Sequence, residues 1–189
     1  MTYATIEPPL AEPLTLAEAK AHLRLDGSDE DDLVLSLIRA AREYLETVAG
    51  LCLMTRTLRL YLDRWPDDGV IQIARGPVQA IETVTVYDAD GEAVAVPLAR
   101  HRLDRESQPA RLTLNQLVNS GGQINGIEID FTAGFGDAAT DVPDTLKRAM
   151  LMHVAHMFAW RGAVAAVDQP AGVPAGYDRL LAPYLPARL

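Results

Sequence analysis

The hydrophobic pattern of this 189-residue chain changes period twice, and that change limits the possible folds more than any composition figure does. Apolar residues recur at helical spacing as far as residue 50, alternate one by one from residue 55, and return to helical spacing at residue 143. A period of about 3.6 lays apolar side chains along one stripe of a helix, whereas a period of 2 lays them on one face of a strand. The chain is therefore expected to run as helices, then strands, then a helix.

The first helix is signalled by Thr15, Leu16, Ala17 and Glu18, a capping box in which hydroxyl and carboxylate satisfy otherwise orphaned N–H groups. Leu16, Ala19, Ala21 and Leu23 form its apolar side, and Asp26-Gly27 breaks it. Ser28 with Asp29, Glu30, Asp31 and Asp32 then places a cap and negative charge at the positive end of a second helix. There Leu33, Val34, Leu37, Ile38, Ala41, Tyr44, Leu45 and Val48 form the apolar side. Arg39, Arg42, Glu43 and Glu46 are expected on the other, and Gly50 stops the helix. Helices are thus expected over 15–25 and 29–50.

From Thr55, Leu58, Leu60 and Leu62 alternate with Thr57, Arg59 and Tyr61 as in a half-buried strand. Val70, Ile71 and Ile73 suggest another, residues 81–87 alternate again, and Asp90-Gly91 leads into 93–96 as a hairpin turn. Short strands are expected near 101–104, 111–114 and 127–132, with a loop at 119–122. Pro143 suits a helix start, and 149–160 is apolar on almost every side apart from His153 and His156. Such a helix must be buried on several faces, in the core or against a neighbouring subunit. Gly162 ends it, 163–176 is rich in Ala, Val, Gly and Pro, and 177–182 permits one short helix.

These elements predict an α+β fold. Its helical core, made of an N-terminal helix pair and a long C-terminal helix over 143–161, carries an inserted small antiparallel β-sheet region over 55–132. Residues 1–162 are read as one domain and 163–189 as a flexible C-terminal segment with a short terminal helix.

The formal net charge of −9 argues against a protein that wraps nucleic acid, because phosphate binding concentrates Lys and Arg. The charge is uneven: −6 over 1–55, −5 over 56–142 and +2 over 143–189. A mildly basic end on an acidic body is suited to oriented docking. No run of about 18 apolar residues occurs, and the opening MTYATIEPPLAEP has neither the basic nor the apolar part of a secretory signal, so a cytoplasmic chain is expected. Cys52, the single cysteine, fits a small buried hydrophobe, and no intrachain disulfide can form.

Candidate chemistry is thin. The acidic run 29–32 lacks the alternating ligands of a calcium loop, and Asp88-Ala89-Asp90-Gly91 copies only a fragment of one between strands, so a helix cap and a hairpin turn are expected. His153 and His156 stand one turn apart and could share a zinc, but HVAH lacks the glutamate and spacing of a zincin helix and no further ligands are indicated. His22 and His101 are isolated, and no nucleophile elbow, phosphate loop or dinucleotide fingerprint is present. Trp65 and Trp160 could each anchor a core or an interface, with the core preferred.

Two groups of residues, in this order, resemble one family. The run 13–25 (PLTLAEAKAHLRL) and the acidic cap 29–32 leading into 37–46 (LIRAAREYLE) resemble the N-terminal helices of phage head-tail connector (adaptor) proteins. The later run 131–136 (FTAGFG), with Val142-Pro143-Asp144 and the helix through His156, resembles that family's final strand and helix. The likeness spans most of residues 13–162.

The resemblance implies a structural, non-enzymatic subunit of tailed phages or phage-derived gene transfer agents. Such subunits form a homo-oligomeric ring, typically a dodecamer, beneath the portal protein. The ring joins the DNA-filled head to downstream stopper or tail-terminator proteins, and DNA passes through its channel without specific binding. It implies assembly in the host bacterial cytoplasm, a final place at the head-tail junction, and no membrane, cofactor, metal or catalytic residue. Met150, Val154, Met157, Phe158 and Trp160 are the expected subunit interface, and Tyr177, Arg179, Leu180, Leu181, Tyr184 and Arg188 the expected portal-docking set. Another neck or tail-completion protein is the main alternative, and a small metal-dependent enzyme using His153 and His156 the remoter one.

Overall fold

In the computed structural model, which describes residues 2–122, 124–160 and 173–185, the chain divides into two units. One takes residues 1–10 and 55–135, the other 11–54 and 136–189.

The first unit is made of strands. A five-stranded antiparallel sheet runs in the order β1 (Thr2–Glu7), β2 (Arg56–Leu62), β8 (Ile127–Ala133), β4 (Val78–Tyr87), β5 (Ala93–Ala95). A second sheet has the order β3 (Ile71–Ile73), β7 (Ala110–Thr113), β6 (Arg102–Asp104). Register explains the core. Leu58, Phe131 and Ile81 form one cross-strand row, Leu60, Ile129 and Val84 the next, and Leu62, Ile127 and Val86 the third, all buried. Ile81 and Val84 are three residues apart while their partners are two apart, so β4 carries a register shift between Ile81 and Thr83. That extra residue keeps the valines facing inward, as a bulge does. Tyr3 of β1 meets Phe131 edge-on at 6.2 Å, and its hydroxyl accepts from the Ala74 N–H at 2.8 Å, tying β1 to the end of β3.

The second unit holds α1 (Leu16–Leu23), α2 (Asp31–Ala49), α3 (Asp144–Ala159) and α4 (Tyr177–Leu181), with α3 packed against each of the other three. The capping box forms as expected: Glu18 N–H donates to Thr15 Oγ1 at 3.1 Å and Thr15 N–H to Glu18 Oε2 at 2.8 Å. Gly50, at φ 67°, closes α2 in the left-handed conformation that glycine adopts without strain. Before α3, Asp141 accepts from the Ala138 N–H at 3.0 Å, and a Cβ on Gly136 would lie 2.1 Å from that carboxylate, so only glycine fits there.

Four expectations are corrected. A helical core bearing an inserted sheet is not what forms: among the described residues the fold is β-rich, eight strands in two antiparallel sheets with four helices. The physical reason is β1, which precedes the helices and supplies the edge of the five-stranded sheet, so that sheet draws on chain from both sides of α1 and α2. Nor is α3 a long C-terminal helix, because it stops at Ala159 and α4 follows.

On α2 the expected polar side is partly wrong. Arg42 and Glu46 are buried, whereas Tyr44 and Val48 are 42% and 46% exposed. The inward pair is held by charge: Arg42 binds Glu46 at 3.0 Å and Glu12 at 2.7 Å, and Glu46 also accepts from the Leu53 N–H at 2.9 Å. Finally, α2 is not capped by Ser28. Its cap residue is Glu30, with no side-chain cap bond, and Asp31 and Asp32 supply the first-turn charge.

Candidate functional site

α3 and what packs on it form the candidate site. The residues expected at a subunit seam separate by exposure. Met150 and Val154 are fully buried, Met157 and Phe158 half-buried, and Trp160, at the C-terminal cap of α3, is 45% exposed. Those expected to dock a portal separate likewise: Tyr177 and Leu181 are fully buried, Leu180 and Tyr184 half-buried, and Arg179 exposed. Arg188 and residues 163–172 of the connector expected over 163–176 lie outside the described residues. Tyr184 is held by a 3.0 Å hydroxyl–hydroxyl bond to Thr145 at the start of α3.

Sequence reasoning missed the aromatic cluster that joins these sets. His153 of α3 lies edge-on to Tyr44 of α2 at 5.0 Å and to Tyr177 of α4 at 5.5 Å, and the two tyrosine rings are 6.0 Å apart. No local signal pairs residues so distant in sequence; helical packing alone brings them together. The cluster is apolar in its effect. Burial first, and His156 one turn away second, push the His153 imidazole below its ordinary value of 6.5. Burial, then Tyr44 and Asp178, pushes the Tyr177 phenol well above its ordinary value. His153 Nδ1, His156 Nε2 and Tyr177 Oη are buried and have no hydrogen-bond partner. Among the described residues no three His, Cys, Asp or Glu side chains gather where they could hold a metal.

The polar face of the five-stranded sheet behaves differently. Arg59 of β2 grips Asp130 of β8 through two bonds, 2.6 and 2.8 Å, and Glu128 at 2.7 Å. The bonds from Arg59 hold Asp130 below the usual carboxylate range although burial opposes it. Thr83 adds a bond to Asp130 at 3.2 Å. The face is thus a closed set of satisfied charges, with nothing poised for acid–base work. Trp65 is half-buried, its indole N–H donating to the Val118 carbonyl at 2.7 Å, which fits a local anchor for the loop. Cys52 is buried.

These features, an aromatic cluster in the helical unit and a paired charge network on the sheet, stand beside the following comparisons with known proteins. Residues 13–92 match the model of the phage gp6-like head-tail connector protein family. That stretch carries the head-tail connector signature. It contains α1, α2 and β2–β4, so the connector pattern draws on both units. The resemblance read from the sequence is borne out, and it extends further in solved structures.

Chains from three such structures match all of this connector-like chain over 97% of their own length. One is the neck of an empty gene transfer agent (GTA) particle with C6 symmetry, at 27% identity and a TM-score of 0.83. The second is the virion of a native GTA particle, at 27% and 0.81. The third is the neck of a native GTA particle with C12 symmetry, at 26% and 0.79. No curated protein matches the chain.

Proposed function

We propose that this protein is a structural adaptor subunit of a particle neck, placed at the head-tail junction and forming a ring around the channel through which DNA passes. The observation that carries this reading is the full-length likeness to chains of GTA necks and virions, joined to a connector-family match at the N-terminal end. The ring is a dodecamer. A twelvefold ring contains a sixfold one, so likeness to chains in both C6 and C12 necks fits a single stoichiometry.

Its partners are further copies of itself, the portal protein above and a stopper or tail-terminator protein below, and its role involves no catalysis and no cofactor. A net charge of −9 suits a passage that must not hold DNA. Subunits in a ring meet through two different surfaces, and Met157, Phe158 and Trp160 are the members of the expected seam that retain exposed surface. Deleting the gene from a producing strain and imaging the particles tests the reading. Filled heads and free tails are expected, rejoined when the chain is supplied; normally joined particles would count decisively against it.

A further inference from the structure

We infer that α4 is a detachable helix: in the free chain it parks its two anchors, Tyr177 and Leu181, against α3, and the unpaired polar atoms beneath it hold that contact near its point of release. This rests on the neck reading only for its purpose, which is to keep docking residues covered until a partner offers a better site.

The anchors show why α4 stays. Tyr177 and Leu181 are fully buried, one turn apart on a helix of five residues. Its own backbone and cap bonds are slight. Its cap residue, Gly176, has φ 90° and gives no side-chain bond, and the Leu180 N–H reaches the Gly176 carbonyl at 3.4 Å. The hydroxyl bond between Tyr184 and Thr145 is exposed, where water replaces it at little cost.

The atoms under the anchors show why α4 can leave. With α4 docked, Tyr177 Oη and His153 Nδ1 are both buried without a hydrogen-bond partner, although their rings pack edge-on. A buried polar atom left unpaired costs far more than an average hydrogen bond contributes. When α4 lifts away, Tyr177 Oη regains water, while Tyr177 and Leu181 become available to a partner. α3 itself keeps Leu146, Ala149, Met150 and Val154 buried, so its packing within the unit does not depend on α4 alone. The conflict is therefore local to α4.

Residue-resolved amide hydrogen exchange on the full chain, with no partner present, tests this. The Ala182 N–H, which bonds the Asp178 carbonyl, should exchange at least tenfold faster than the Val154 amide within α3. Tyr177→Phe keeps the ring and removes the unpaired hydroxyl, so exchange at Ala182 should slow about tenfold. Leu181→Ala should speed it about tenfold while α3 keeps its protection, which gives a second reading if the first variant folds poorly. Equal rates in α4 and α3, or Tyr177→Phe leaving exchange unchanged or faster, would overturn the inference, since α4 would then belong to one cooperative core or its hydroxyl would already be satisfied by trapped water. Exchange of the free chain does not depend on the neck, so failure here leaves the neck reading standing, and normally joined particles without this protein would leave the exchange result standing.

Discussion

The two units solve the same problem, burying polar groups in a small protein, in opposite ways. On the sheet, Arg59, Asp130, Glu128 and Thr83 satisfy one another across three strands. In the helical unit one network, Glu12, Arg42 and Glu46, is equally complete, but the cluster of Tyr44, His153 and Tyr177 is not. A finished polar network specifies one arrangement, whereas an unfinished one leaves free energy to be released on rearrangement or binding. The sheet unit thus reads as the more firmly fixed of the two, and the helical unit as the one with free energy still to release.

That contrast can be broken most forcefully in the sheet. Phe131→Ala removes the middle side chain of the row it shares with Leu58 and Ile81 and should cost about 3–5 kcal/mol in chemical denaturation. A loss below about 1 kcal/mol would mean that the sheet unit is not the more firmly fixed. Glu46→Ala removes one partner of a buried pair and the acceptor of the Leu53 N–H, for an expected loss of about 3 kcal/mol by the same measurement. Because Glu12 still neutralises Arg42, the penalty should grow when Glu12→Ala is added. A smaller effect belongs to the cap: Thr15→Ala should cost about 1 kcal/mol, seen as fraying of α1 amides.

Acid should separate the units without any mutation. His153 and His22 are both held below 6.5, chiefly by burial, so the folded state favours their neutral forms. Their contribution is present above pH 6.5 and is lost as pH falls below it, because the unfolded chain takes up the proton first. Glu18 is lowered to about 2, first by the Thr15 backbone bond and then by Lys147, so its contribution is lost from about pH 4.5 down to about 2 and is weakened by its partial exposure. In the sheet, Asp130 is depressed from 3.8 and weakens only below that value. Methyl NMR melts at pH 7, 5 and 3 should show the helical unit losing stability first; simultaneous loss would remove the distinction. The smallest expected stability change is Trp160→Ala, within about 0.5 kcal/mol because the ring is partly exposed, paired with loss of ring assembly in particles. Unimpaired assembly would take Trp160 out of the seam.

Much of the local structure was legible because its signals are local. Thr15 and Glu18 form the predicted box, Gly50 ends α2, and β2, β4 and β8 sit where alternation places them. The same reasoning failed where a partner is remote. β1 carries no clean alternation and runs into Pro8-Pro9, yet pairing with β2 makes it a strand and turns the expected insertion into a unit of its own. Arg42 and Glu46 read as a solvated face until Glu12 and the Leu53 N–H close on them. Of the candidate site, the apolar α3 and the terminal helix were legible, but the burial of Tyr177 beneath Tyr44 and beside His153 was not.

The sequence by itself determined the order of periods, the caps and turns, the absence of a motif for catalysis, and the connector likeness, because each is carried by residues near one another in the chain. Only the tertiary structure decided which strands complete the sheet, which charges turn inward and which expected docking residues are covered. Those outcomes depend on pairings between distant segments, whose free energies appear only once the chain has closed on itself.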